Sequence, residues 1–248
     1  MSVITPELKA QFDEIVSHYP VSQAAVIPVL HLVQAQEGLL TPEAQSEVAA
    51  YLKIPVSKVQ EVISFYSMLT EKPRGKNHLM VCRTLSCALG GCQGVMDRLE
   101  KTLGVGPHQV TPDGQFSWEK AECLAACDYA PVVTVNYDFA VDQATPKAAV
   151  ELVDQLRAGE RPTPTRGARI CSLREMSMQL AGFADEREGA LADGPAGAPT
   201  LRGVTLAQKH GVAVPDFHPD TPITKTKPSP REEKRGRGAG ATPTEDTK

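Results

Sequence analysis

The chain has 248 residues, enough for one or two domains, with 41% apolar and 23% charged side chains and a formal charge of −4. No run approaches the roughly 20 apolar residues a spanning helix needs, and the longest apolar neighbourhood, Ala24 to Val33, is broken by Pro28 and His31. The acidic balance argues against nucleic acid as a main partner. An N-terminus reading Met-Ser-Val-Ile-Thr-Pro-Glu-Leu lacks a signal-peptide core, so the chain is expected to stay in the cytoplasm or on a cytoplasmic surface.

Residues 5–70 read as consecutive helices. Thr5-Pro6-Glu7 supplies an N-cap, a proline at the first helical position and an acid in the first turn, and Leu8, Phe12, Ile15 and Val16 follow at helical spacing. Ser22 is expected to cap a second helix through Gln36, with a kink or irregular start at Pro28 and a stop at Gly38. Thr41-Pro42-Glu43 repeats the start signal for a helix through Leu52. Ser57 is expected to cap a fourth, with Val59, Val62, Ile63 and Tyr66 as its apolar stripe; Phe65 is expected in the core, with a place at an interface, shared with Tyr66, as the alternative. Short connections predict a small antiparallel bundle over residues 1–72.

The polar stretch from Glu71 to Lys76 marks a boundary, and the pattern then turns mixed. A short strand at His78–Val81 leads into Cys82. Val95 to Leu103 reads as a helix stopped by Gly104. Gln115–Ala121 and Pro131–Asn136 read as strands, and Thr145-Pro146-Lys147 opens a last helix ended by Gly159. The prediction for residues 73–160 is a compact α+β domain. Asp138 and Asp142 are placed in a solvated turn after a strand end.

Residues 161–248 differ. They hold 14 Lys/Arg and 11 Asp/Glu against 12 and 19 in residues 1–160, with only two aromatics, Phe183 and Phe217. A long, mostly irregular Pro/Gly-rich tail is expected, disordered or docked on partners. Cys171 to Phe183 and Leu201–Gln208 are expected to fold only against other subunits. Arg231 to Arg237 reads as a solvated run of mixed charge.

Six cysteines carry the chemistry: Cys82, Cys87, Cys92, Cys123, Cys127 and Cys171. Without a secretory signal, metal binding or redox chemistry ranks above a disulfide framework. The C-x4-C and C-x3-C pairs each sit where a strand gives way to a loop, so two short loops can converge on one site. Zinc knuckles prefer C-x2-C and thioredoxin-type redox couples require it, and neither pair has it. A [2Fe–2S] core is wider, takes four thiolates, and suits looser loops flanked by Gly90, Gly91 and Gly94 on one side and Ala125 and Ala126 on the other. The six histidines show no ligand spacing, and no P-loop, G-x-S-x-G or G-x-G-x-x-G occurs. Pro131 has two readings: the cis proline of thioredoxin-like folds, or an ordinary trans proline opening a strand.

Phe65-Tyr66-Ser67-Met68-Leu69, then Cys82-x4-Cys87, then Glu122-Cys123-Leu124-Ala125-Ala126-Cys127-Asp128-x-Ala130-Pro131, resemble the small [2Fe–2S] subunits of respiratory complex I, the E-type subunits of NADH:quinone oxidoreductase. The resemblance covers about residues 5–160. It implies a thioredoxin-like cluster domain behind a helical bundle, with Cys82, Cys87, Cys123 and Cys127 as ligands of one [2Fe–2S] cluster. It also implies a partner flavoprotein subunit that binds FMN and NADH, other peripheral-arm subunits as neighbours, and a place on the cytoplasmic face of the membrane. Enzyme activity then belongs to the assembly, since this chain has no hydride site. Cys92 departs from the pattern as a further C-x4-C step and reads either as a competing ligand or as a buried thiol. The long tail with Cys171 resembles the extensions of some bacterial versions. The alternatives are the same module in a soluble NAD-linked formate dehydrogenase or hydrogenase, a free-standing thioredoxin-like ferredoxin, and a structural zinc module.

Overall fold

The computed structural model describes residues 2–164, 168–185, 187 and 198–212. Four helices open the chain: α1 (Pro6–Ser17), α2 (Val26–Glu37), α3 (Pro42–Leu52) and α4 (Val56–Phe65). Thr5 and Thr41 cap α1 and α3, their hydroxyls accepting from Leu8 N at 3.1 Å and Ala44 N at 3.2 Å, with proline next in line. The start of α2 is irregular, as Pro28 requires. A 3₁₀ turn at Ser22–Ala25 precedes it, and Pro28 falls in the first turn, where a missing N–H breaks no helical bond. Two expected caps are corrected. Ser22 instead donates its hydroxyl to Leu52 O at 2.7 Å, and α4 already starts at Val56, with Pro55 rather than Ser57 at its cap position.

α2 is the centre of this half. Val26, Pro28, Val29, Leu30, His31, Leu32, Val33 and Ala35 are all buried, because α1, α3, α4 and a later helix pack around it. Phe12, Leu40, Val48, Leu52 and Val59 complete the core. Phe65, expected inside, lies 79% exposed at the end of α4, in an edge-on contact with Tyr66. Its helical position points away from the Val59–Ile63 stripe that faces the core.

A second core surrounds a four-stranded mixed sheet in the order β2-β1-β3-β4. The strands are β1 (Asn77–Cys82), β2 (Phe116–Ala121), β3 (Val133–Val135) and β4 (Asp138–Val141). Between β1 and β2 lie α5 (Leu85–Leu89) and α6 (Cys92–Leu103), and α7 (Pro146–Arg157) follows β4. β1 runs parallel to β2, with Cys82 opposite Ala121, and antiparallel to β3, with Val81 opposite Val133. The ends of β1 and β2 and the start of β3 therefore share one sheet edge. The chain enters this domain tightly: a Cβ on Gly75 would lie 2.2 Å from the Phe116 carbonyl carbon, so only glycine fits.

α5 and β4 are additions to the expected elements. Asp138 opens β4 rather than a solvated turn, because Asn136 and Tyr137, both at positive φ, form a two-residue hairpin turn. Its carboxylate accepts from Cys171 N at 2.8 Å and pairs with the buried Arg187 guanidinium at 2.7 Å. The Ala130–Pro131 peptide is cis, as the thioredoxin-like reading had it.

α8 (Leu173–Leu180) also corrects an expectation. It packs on α2 of this same chain, with Ala181 in the bundle core and Met178 and Phe183 against it, so this part of the extension has a surface of its own chain to pack on. Ser172 and Glu175 form a reciprocal capping box at its start. α9 (Ala198–His210) lies in a separate unit from Leu201 onward and exposes Leu201, Val204 and Leu206. The charged run Arg231 to Arg237 lies outside the described residues.

Candidate metal centre

Sheet topology brings four cysteines to one edge. Cys82 ends β1, Cys87 follows in α5, and Cys123 and Cys127 flank the loop after β2, which returns to β3 through Pro131. The sulfurs form two pairs. Cys123 Sγ lies 3.5 Å from Cys127 Sγ, and the Cys82 and Cys87 thiols interact directly. The first pair is exposed and the second buried.

The backbone aims donors at these sulfurs. Ala125 N donates to Cys123 Sγ at 3.4 Å, from a residue held at φ 58°, a left-handed conformation that turns its N–H inward. The amides of Thr84 and Leu124 serve Cys82, and that of Val132 serves Cys87. Side-chain hydroxyls join them. Thr84 Oγ1 sits 3.3 Å from Cys82 Sγ, and the Ser86 hydroxyl acts to lower the Cys127 thiol.

The acidities follow these contacts. Burial pushes the Cys82 thiol up, but the hydrogen bonds from the Thr84 hydroxyl and amide and the Leu124 amide prevail and hold it below the usual thiol range. Cys123 is lowered by the Ala125 amide, then by Cys127. Their partners go the other way. Burial, then the bond to Cys82, pushes Cys87 up to about 12, and the bond to Cys123 raises Cys127. Each pair thus shares a proton, one sulfur ionising before the other, and metal binding would displace both protons.

This donor set fits a [2Fe–2S] cluster. Such a centre takes two thiolates on each iron, and the chain offers two thiol pairs with amide donors turned toward the sulfurs. The glycines play unequal parts. Gly90 faces Pro131 so closely that a Cβ would meet its ring at 2.9 Å, whereas Gly91 adopts φ 90° at the cap of α6.

Cys92 lies near Cys82 but is the first residue of α6, buried in the domain core, and burial raises its thiol. Cys171 sits apart, its Sγ donating to Asn136 O at 3.7 Å, and burial followed by Asp138 raises it strongly. His31 is buried in the bundle, and His78 bonds to Ser117 Oγ at 2.8 Å beside Glu119, which also lies 3.5 Å from His108. The hydroxyls of Thr84 and Ser86 were missed in the sequence. Their signal is their place inside the first arm, Cys82-Arg-Thr-Leu-Ser-Cys87.

Residues 12–157 match the family model of the thioredoxin-like [2Fe–2S] ferredoxin. The chain is 42% identical over 212 residues to the E-type subunit of NADH-quinone oxidoreductase from Mycobacterium tuberculosis, an alignment that covers 86% of this chain and 83% of the relative. It is 44% identical over 151 residues to NADH-quinone oxidoreductase subunit 2 of Thermus thermophilus, covering 60% of this chain and 83% of the relative. The E-type subunit from Rickettsia bellii is 39% identical over 148 residues, covering 58% and 88%. The mycobacterial alignment therefore includes part of the C-terminal extension.

Proposed function

We propose a role that starts from membership: the chain belongs to the thioredoxin-like [2Fe–2S] ferredoxin family, among the E-type subunits of NADH-quinone oxidoreductase, and Cys82, Cys87, Cys123 and Cys127 hold its cluster. The chain is a [2Fe–2S] electron-transfer subunit of complex I. The observation that carries the ligand assignment is the meeting of two thiol pairs and their amide donors at one sheet edge.

When bound, the cluster supplies a site for one electron at a time. The chain does the rest. Four thiolates need compensation, and the amides of Thr84, Leu124, Ala125 and Val132 provide it without a proton changing hands. The buried Cys82–Cys87 pair keeps water from half of the centre, while the exposed Cys123–Cys127 loop leaves the other half open to a redox partner.

That partner is an FMN- and NADH-binding flavoprotein subunit, with other peripheral-arm subunits as neighbours on the cytoplasmic side of the membrane. No described helix is long and apolar enough to cross a membrane, which supports peripheral placement. The test is anaerobic co-expression of the full chain with the flavoprotein subunit from the same source. Co-purification and cluster reduction by NADH are expected. A loaded chain that dithionite reduces but NADH and flavoprotein do not would overturn the partner assignment.

A further inference from the structure

We propose that Thr84 is a positioning residue that tunes the reduction potential of the centre, by donating an O–H···S hydrogen bond to the Cys82 sulfur 3.3 Å away. The inference rests on the ligand assignment above. Thr84 stands at the cap position of α5, with extended backbone, where a threonine hydroxyl ordinarily accepts a backbone N–H of the first turn. Here it makes no such bond and is turned to sulfur instead. The local helix gives up its cap for this contact.

The direction of the bond follows from protonation. With a free thiol either atom can donate, but a thiolate ligand has no proton, so the threonine O–H must supply it. The hydroxyl then presents the positive end of its dipole to the centre. Four thiolates on an oxidised two-iron, two-sulfide core give a net charge of about −2, and one electron makes it about −3. A fixed dipole stabilises the more negative state more, so the bond favours reduction and its loss lowers the potential. Cys82 is buried, so water has little access to replace the donor. Ser86 offers a comparison within the same arm. Its hydroxyl acts on Cys127, but that sulfur is exposed and water can take the donor's place.

The test is a potentiometric EPR titration of the iron-loaded full chain, which reads only loaded molecules whatever their yield. Thr84→Val should raise the oxidised-to-reduced ratio at the unsubstituted midpoint about tenfold, equal to about 59 mV for one electron. Thr84→Ser should restore the original value, and Ser86→Ala should change the ratio less than Thr84→Val. An unchanged or raised midpoint in Thr84→Val overturns the proposal, as does a Thr84→Ser variant that stays as low as Thr84→Val. If Thr84→Val binds too little iron to titrate, Thr84→Ala and Thr84→Ser decide by the same comparison. An unsubstituted chain with no reducible two-iron signal would instead overturn the ligand assignment.

Discussion

Gly90 and Pro131 touch across the two ligand arms: a β-carbon on Gly90 would lie 2.9 Å from Pro131 Cδ and 3.0 Å from Cγ. Gly90 itself is at φ −77°, so space alone demands glycine there. Gly90→Ala should cost about 1–3 kcal/mol, the usual range for forcing a methyl into packed surroundings. It should also loosen the cluster, since Val132, next to Pro131, supplies the amide to Cys87. Denaturant titration and loss of visible absorbance on standing check this, with unchanged stability as the contrary result.

Phe65→Ser should leave stability within about 0.5 kcal/mol of the parent, because an exposed side chain away from special features contributes little. Had Phe65 been a core residue, a loss of about 3 kcal/mol or more would follow. Thermal unfolding distinguishes the two.

Ser172→Ala removes one arm of the capping box and leaves the Glu175 backbone N–H without its 3.1 Å acceptor. A loss of about 1 kcal/mol is expected. Hydrogen exchange should quicken in α8, and in α2 where α8 packs on it. Exchange that rises nowhere in α8 would mean the cap is idle.

His31 gives the bundle an acid limit. It is 4% exposed, Nδ1 has no hydrogen-bond partner, and burial lowers its pKa to about 4. The unfolded chain takes up this proton near the ordinary value of about 6.5, so below that pH the unfolded state binds more protons. The proton-linked cost of burying His31 is therefore absent above pH about 6.5, and stability falls progressively toward pH about 4, by on the order of 3 kcal/mol in full. Denaturant titrations followed by helical circular dichroism should show a steeper acid slope for the parent than for His31→Leu. Parallel slopes would contradict the burial account.

Local chemistry was legible in the sequence, and directions in space were not. Thr5-Pro6 and Thr41-Pro42 announced their helices because cap, proline and first turn are neighbours in the chain. Ser22 looked like a cap of the same kind, yet its hydroxyl goes to Leu52, thirty residues away. β4 escaped notice because a Tyr at positive φ is an unusual turn residue and the strand is only half buried. Cysteine identity and order pointed to the centre, since thiolates carry the chemistry in the residue type itself. The place of Thr84 inside the first cysteine arm was also legible, but the turn of its hydroxyl from the helix to a sulfur is a direction that residue order does not carry.

Iron and sulfide analysis with EPR, on the anaerobically purified full chain and its single Cys→Ser variants, tests the assignment of the centre most directly. The account predicts about two irons and two sulfides per chain with a rhombic signal on reduction. Serine at Cys82, Cys87, Cys123 or Cys127 should abolish or transform that signal, and serine at Cys92 or Cys171 should leave it intact. A colourless chain holding one zinc, or a signal lost with Cys92 and kept without Cys123, would contradict it.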